Sequence, residues 1–126
     1  MVIARETTEG DPHMIRTSRT RRATIKARTR TTRAQARIRR NGVGTLATHC
    51  MAVGLSIREA RIVAGTLRKN AAKAGVTGAP GISYAKNIKA HDCTRYTPRE
   101  VAAIAVIYRP RRPAYKAAAA RLTLAA

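Results

Sequence analysis

The chain contains no Phe and no Trp, and only six of its 126 residues are Asp or Glu. The missing large aromatics exclude a thick core of stacked rings. The scarcity of acid leaves 26 Lys and Arg residues nearly unopposed, for a formal net charge of +20. Cysteine is scarce as well. Cys50 and Cys93 do not make a disulfide framework, and with no signal peptide ahead of them a reducing, cytoplasmic setting is expected, nucleoid-associated if the host is bacterial. Long apolar runs are absent too: the longest, residues 101–108, falls far short of the roughly 20 residues a membrane-spanning helix needs, so no membrane partner is expected. The Arg- and Thr-rich stretch after Met14 has the composition of a mitochondrial transit peptide, but Glu6, Glu9 and Asp11 ahead of it argue against one.

What is present is alanine and arginine. Of the apolar residues 25 are Ala and 22 are Ile, Leu or Val, which suits helices in close approach and a core of marginal stability. Arg outnumbers Lys twenty to six, a bias that together with the Ala content points to a GC-rich genome, bacterial or phage. The length allows one domain. Its expected organisation is a disordered leader over residues 1–14, a basic arm over 15–40, and a helical core over 41–126 whose last helix follows a Pro/Arg linker.

The arm is the strongest signal. Residues 16–40 carry eleven Lys and Arg and no acid. Seven of them, Arg19, Arg22, Lys26, Arg30, Arg33, Arg37 and Arg40, recur at steps of three and four, which places them on one face of a helix. Like charges one turn apart repel, so a polyanion must supply the counter-charge. The many Thr residues are poor helix formers, and the arm is therefore expected to be flexible in solution and helical on its partner. Six to ten phosphate contacts weaken duplex binding about 10³–10⁵-fold between 50 and 200 mM salt, the dependence expected here.

Asn41, Gly42 and Gly44 break the chain after the arm. A short helical segment over 45–53 ends at Gly54. Ser56 is a suitable N-cap for a helix over 57–74 with an apolar seam of Ala60, Ala64, Leu67, Ala71 and Ala74, and Gly75 closes it. Arg58, Arg61, Arg68, Lys69 and Lys73 fall opposite that seam. Residues 76–95 contain three glycines and a proline, then a short stretch over 82–89 readable as a helical turn or a strand. Thr97, Pro98 and Glu100 form a capping box that launches an apolar helix through Tyr108. Arg109, Pro110, Arg111, Arg112 and Pro113 make a stiff basic linker, and residues 114–124 have high helix propensity. The fold class expected is all-α.

Residues 46–63 resemble the helix-turn-helix of DNA-binding proteins. Cys50, Gly54, Leu55 and Ser56 occupy the small, turn, apolar and helix-start positions, with Val53 and Val63 turned inward. The pattern departs at His49, where an apolar residue is usual, at Cys50, where Ala is commoner, and at Ala60, small for its slot. The resemblance implies that Ser56, Arg58 and Arg61 meet base edges, while Arg68, Lys69 and Lys73 meet phosphates. The competing reading of the same residues is a plain pair of core helices.

Four side chains have the chemistry of a zinc site: His49, Cys50, His91 and Cys93. Their spacing, none and one intervening residue, is too tight for chelating pairs, so Cys50 is expected in the core and no metal or cofactor is expected. Tyr96 and Tyr108 read as core. Arg109, Arg111 and Arg112 with Tyr115 and Lys116 read as a second phosphate-binding site. Six scattered acids and no phosphate-cradling loop leave no catalytic constellation, and an enzyme is not expected.

The expected function is nucleic-acid binding, foremost double-stranded DNA binding by the helix pair plus the arm, as in a bacterial or phage regulator or nucleoid-type protein, with a homodimer as one form. Two alternatives stay open: a structural RNA-binding protein of a ribosome or other ribonucleoprotein, and a basic adaptor on RNA polymerase or another protein machine.

Overall fold

The computed structural model describes residues 12–84 and 90–125. Its elements in chain order are α1 (Pro12–Asn41), α2 (Leu46–Ala52), α3 (Ile57–Ala71), β1 (Ala79–Ser83), β2 (His91–Arg95), α4 (Pro98–Ile107) and α5 (Pro113–Leu124). The chain is thus mainly helical, as expected, but all-α is not exact: β1 and β2 pair antiparallel, with Gly81 opposite Cys93 at the centre of the register. The glycines and the proline that made residues 76–95 look irregular serve this hairpin. At Gly78 the backbone is left-handed (φ +69°), and an added Cβ would lie 2.6 Å from Thr94 and 2.7 Å from Tyr96. Gly81 leaves room for the Arg95 side chain, which crosses β1 and donates to the Ile82 carbonyl. Residues 85–89, the end of the stretch read as turn or strand, lie outside the described residues.

The arm is one continuous helix of 30 residues. One local cause favours this over the expected flexible chain: its C-terminal part is bound to the core, with Ala34 4% exposed and Ile38 half-buried on the same face. Docking fixes these turns, and a helix once nucleated propagates at little further cost. Thr20, Thr24 and Thr29 each donate a side-chain hydrogen bond, at 2.9 Å, to the carbonyl four residues earlier, which satisfies their hydroxyls within the helix but does not itself stabilise it. The last turns of the arm expected over 15–40 pack against α2. Of the leader expected over 1–14, residues 12–14 belong to α1 and residues 1–11 lie outside the described residues.

The turn between α2 and α3 follows from Gly54 (φ +104°). Leu55 N–H bonds back to the Cys50 carbonyl and Gly54 N–H to the Met51 carbonyl, a helix end that needs a left-handed residue. Ser56 then caps α3 reciprocally with Glu59, and Thr97 caps α4 with Glu100 in the same way. Two side chains from distant elements complete the end of α2: Gln35 donates to the Ala52 carbonyl at 2.9 Å and Arg121 to the Val53 carbonyl at 2.8 Å. Regular α3 stops at Ala71, short of the expected Ala74. Its last turn closes with Val76 N–H on the Ala71 carbonyl and Gly75 N–H on the Ala72 carbonyl.

The core is one cluster: Leu46, Cys50 and Leu55 around the turn, Ala60, Val63, Ala64 and Leu67 of α3, Val101, Ile104 and Tyr108 of α4 and Tyr115, Ala118 and Leu122 of α5. Small residues let these helices approach closely, as the composition implies. The hairpin is tied in through Gly44, whose backbone exchanges two hydrogen bonds with Tyr96. Beneath that bridge His49, 4% exposed, shares a 2.7 Å hydrogen bond between Nε2 and the Tyr96 carbonyl, with Nε2–H as donor. Burial pushes the His49 pKa below 6.5, so the ring is neutral. No helix among the described residues is long and apolar enough to cross a membrane.

Candidate nucleic-acid interface

The seven stripe cations all lie on α1, six of them exposed and Arg30 half-buried. Docking of α1 gives their row a fixed relation to the rest of the molecule. Lys26, Arg30, Arg33 and Arg37 line a groove of about 470 Å³ that ends against Met51 of α2. A second groove, about 560 Å³, begins at Arg37 and Met51 and continues between the start of α3 and the hairpin, past Ile57, Arg61 and Arg95. Arg37 and Met51 belong to both. The stripe and the first turns of α3 therefore form one basic surface that turns a corner at Arg37.

Little neutralises it. Of the three acids among the described residues, Glu59 and Glu100 each close a capping box, and Asp92 lies in the second groove among Arg37, Arg61 and Arg95. Cations outnumber the single free acid along this surface, and low-dielectric groove walls concentrate the positive field they produce.

The other expected binding residues divide. Ser56 is half-buried and its hydroxyl accepts from Glu59 N–H, so its first task is capping. Arg61 faces the second groove, and Arg68 lines a smaller cleft with Asp92, Cys93 and Thr94 on another side of the hairpin. Arg58 and Lys69 are exposed but line neither of the two joined grooves, and Lys73 lies in the closing turn beyond α3. Arg19, Arg22 and Arg40 extend the stripe at its two ends.

At the linker several of the residues read as a second phosphate site have intramolecular partners of their own. Arg109 donates to the Val106 and Tyr108 carbonyls and so finishes α4. Tyr115 is buried, with the Arg112 guanidinium 5.6 Å from its ring centre. Arg111 and Lys116 are exposed and line none of the stripe grooves. Tyr96 and Tyr108 are in the core, as read from the sequence. The four zinc candidates are not gathered: among the described residues no group of three or more His, Cys, Asp or Glu is placed to hold a metal. His49 is held on the Tyr96 carbonyl, and burial raises the Cys50 thiol to about 12, which leaves it protonated.

Sequence reasoning missed Arg95 and the hairpin that carries it. The available signal was Gly78, Pro80 and Gly81 followed by the β-branched Ile82, a turn-and-strand composition too short to separate from a loop. A scan against protein-family models, a search of curated proteins and a search of solved structures each return no match for this chain.

Proposed function

We propose that this protein binds double-stranded DNA on the basic surface that runs along α1, turns at Arg37 and crosses the start of α3. The observation that carries the reading is the sharing of Arg37 and Met51 by the two grooves. It joins a stripe suited to phosphates and a helix start suited to a groove into a single face, and cations spread at random over the surface would not be so joined. The short α2, the turn at Gly54 and the longer α3 occupy the residues that resemble a helix-turn-helix, which supports duplex DNA over other polyanions. A bacterial or phage regulator or nucleoid-type protein is the corresponding biological role. Phosphate contacts supply the affinity, and Arg61, exposed along the second groove, adds to them.

The test is a titration of the full chain against duplex DNA, duplex RNA and single strands of matched length at several salt concentrations, beside affinity purification from its host with and without nuclease. Preference for duplex DNA and loss of partners on nuclease treatment are expected. A protein partner recovered equally after nuclease would contradict the reading in favour of an adaptor, and preference for RNA would place the chain in a ribonucleoprotein.

A further inference from the structure

Residues 12–26 of α1 extend beyond the turns that pack on α2, and the cations of the helix do not all belong to the stripe. Bearings around the axis, taken at about 100° per residue, place four groups of its residues on separate strips, with Arg16 on the core-facing side. The strip against the core holds Ala27, Thr31, Ala34 and Ile38. Almost diametrically opposite, about 160° away, lies a line of uncharged residues: Ser18, Ile25, Thr29 and Thr32. All four are exposed, Ile25 at 60%, an aliphatic side chain in water with no core to join. On one side of this line, about 90° away, runs the seven-residue stripe, and on the other, about 60° away, stand Arg21, Arg28 and Arg39, also exposed. The side chains bear the arrangement out: Ile25, Thr29 and Thr32 line a single concavity with Arg28 and Arg33, one from each flank.

Resting on the duplex-DNA reading, we propose that α1 enters the major groove, with the line Ile25, Thr29 and Thr32 against the base edges and the two cation rows on the phosphates of the two strands. A cation row meeting one strand needs no second row. Two rows with an uncharged, methyl-bearing ridge between them match a groove with a charged wall on each side and base edges at its floor. The major groove, about 12 Å wide, admits a helix whose diameter with side chains is about 10–12 Å. The core lies on the opposite side of the helix and stays outside the groove. Each flank is prolonged by the body of the protein: the stripe by Arg61 and Arg95, the other row by Arg121, which shares a groove with Arg39. From Ser18 to Thr32 the ridge is about 21 Å long, the rise of about six base pairs.

The ridge also names what it recognises. Thr29 donates its hydroxyl hydrogen to the Ile25 carbonyl, so it has no donor left for a base acceptor and its oxygen can only accept. At the centre of the ridge Ile25 adds a purely aliphatic side chain, 60% exposed, and the base-edge group that meets aliphatic surface in the major groove is the C5-methyl of thymine. The hydroxyls of Ser18 and Thr32, at the two ends, suit donors and acceptors alike and so choose little between bases. A-form RNA has neither the open major groove nor the methyl group, so the same face does not fit duplex RNA.

The experiment measures binding of the full chain to one mixed-sequence DNA duplex and to the same duplex with uracil in place of thymine, a change that removes only the major-groove methyl groups. The intact chain should bind the uracil duplex about four-fold more weakly for each methyl contacted, and Ile25→Ala should reduce that difference by about four-fold for each methyl that Ile25 meets. The triple variant Arg21→Gln, Arg28→Gln, Arg39→Gln should lower the slope of log affinity on log salt by about three, matching a triple substitution of Arg22, Lys26 and Arg33. Circular dichroism of each variant checks that the helix persists. Equal affinity of the intact chain for thymine and uracil duplexes, or a slope that only the stripe variants change, overturns the groove proposal while leaving duplex binding intact. Absence of duplex binding by the intact chain overturns both.

Discussion

His49 and Cys50 stand side by side on α2, both buried, and their chemistry makes opposite demands on pH. The folded ring of His49 holds a proton less readily than the unfolded one, so below pH 6.5 the unfolded chain takes up the extra proton. Stability should be level above that pH and fall as pH drops below it, until the folded ring is itself protonated. Denaturant unfolding between pH 8 and pH 5 should show this decline, and His49→Gln should flatten it, since an amide can still donate to the Tyr96 carbonyl without titrating. Cys50 is fully buried and its thiol is held protonated to about 12. Cys93, half-buried on the hairpin, should therefore react with a maleimide in the folded protein, whereas Cys50 should react only after unfolding; equal rates would place Cys50 outside the core.

At the scale of elements, α1 has two halves of different character, and exchange of backbone amides should separate them. The turns around Ala34 and Ile38 share the stability of the core, while residues 18–26 are exposed throughout and should exchange much faster. Ala34→Arg should detach the docked turns at a cost of roughly 1–3 kcal/mol, the scale for overpacking a filled site, and the loss of the Gln35 bond to α2 should follow. Ser56→Ala, which removes one side of the α3 capping box, should cost about 1 kcal/mol in chemical unfolding.

These elements were unequally legible. Caps act between residues three apart, so Ser56 and Thr97 announced α3 and α4 in the sequence, and the stripe of α1 was a matter of counting. The docking of α1 was hidden because its anchors, Ala34 and Ile38, are two residues interspersed among arginines, too few to raise a periodic apolar signal. The hairpin was hidden because its pairing depends on distant partners: Gly44 with Tyr96, and the space at Gly78 that Thr94 and Tyr96 fill. For the same reason Arg95 was absent from the expected site, and Arg109 and Arg112 were assigned to phosphate when their nearest partners are a helix end and a buried ring.

For the molecule as a whole, position counts for more than total charge. Twenty excess positive charges attract any polyanion, so affinity alone says little. The claim is that the cations of α1 and those joined to them through Arg37 act together on one duplex, whereas Arg99, Arg111, Arg112 and Lys116, which line neither groove, contribute only a general field. The decisive measurement is the salt dependence of duplex binding for two proteins of equal net charge. In one, Arg30, Arg33, Arg37 and Arg61 are changed to Gln; in the other, Arg99, Arg111, Arg112 and Lys116, exposed and away from the joined grooves, are changed instead. The first should lose between three and four from the slope of log affinity on log salt, at about 0.9 for each phosphate contact removed, and the second should keep the slope of the intact chain. Equal slopes for the two variants would contradict the account, because binding would then depend on how much charge the protein carries and not on where the fold has put it.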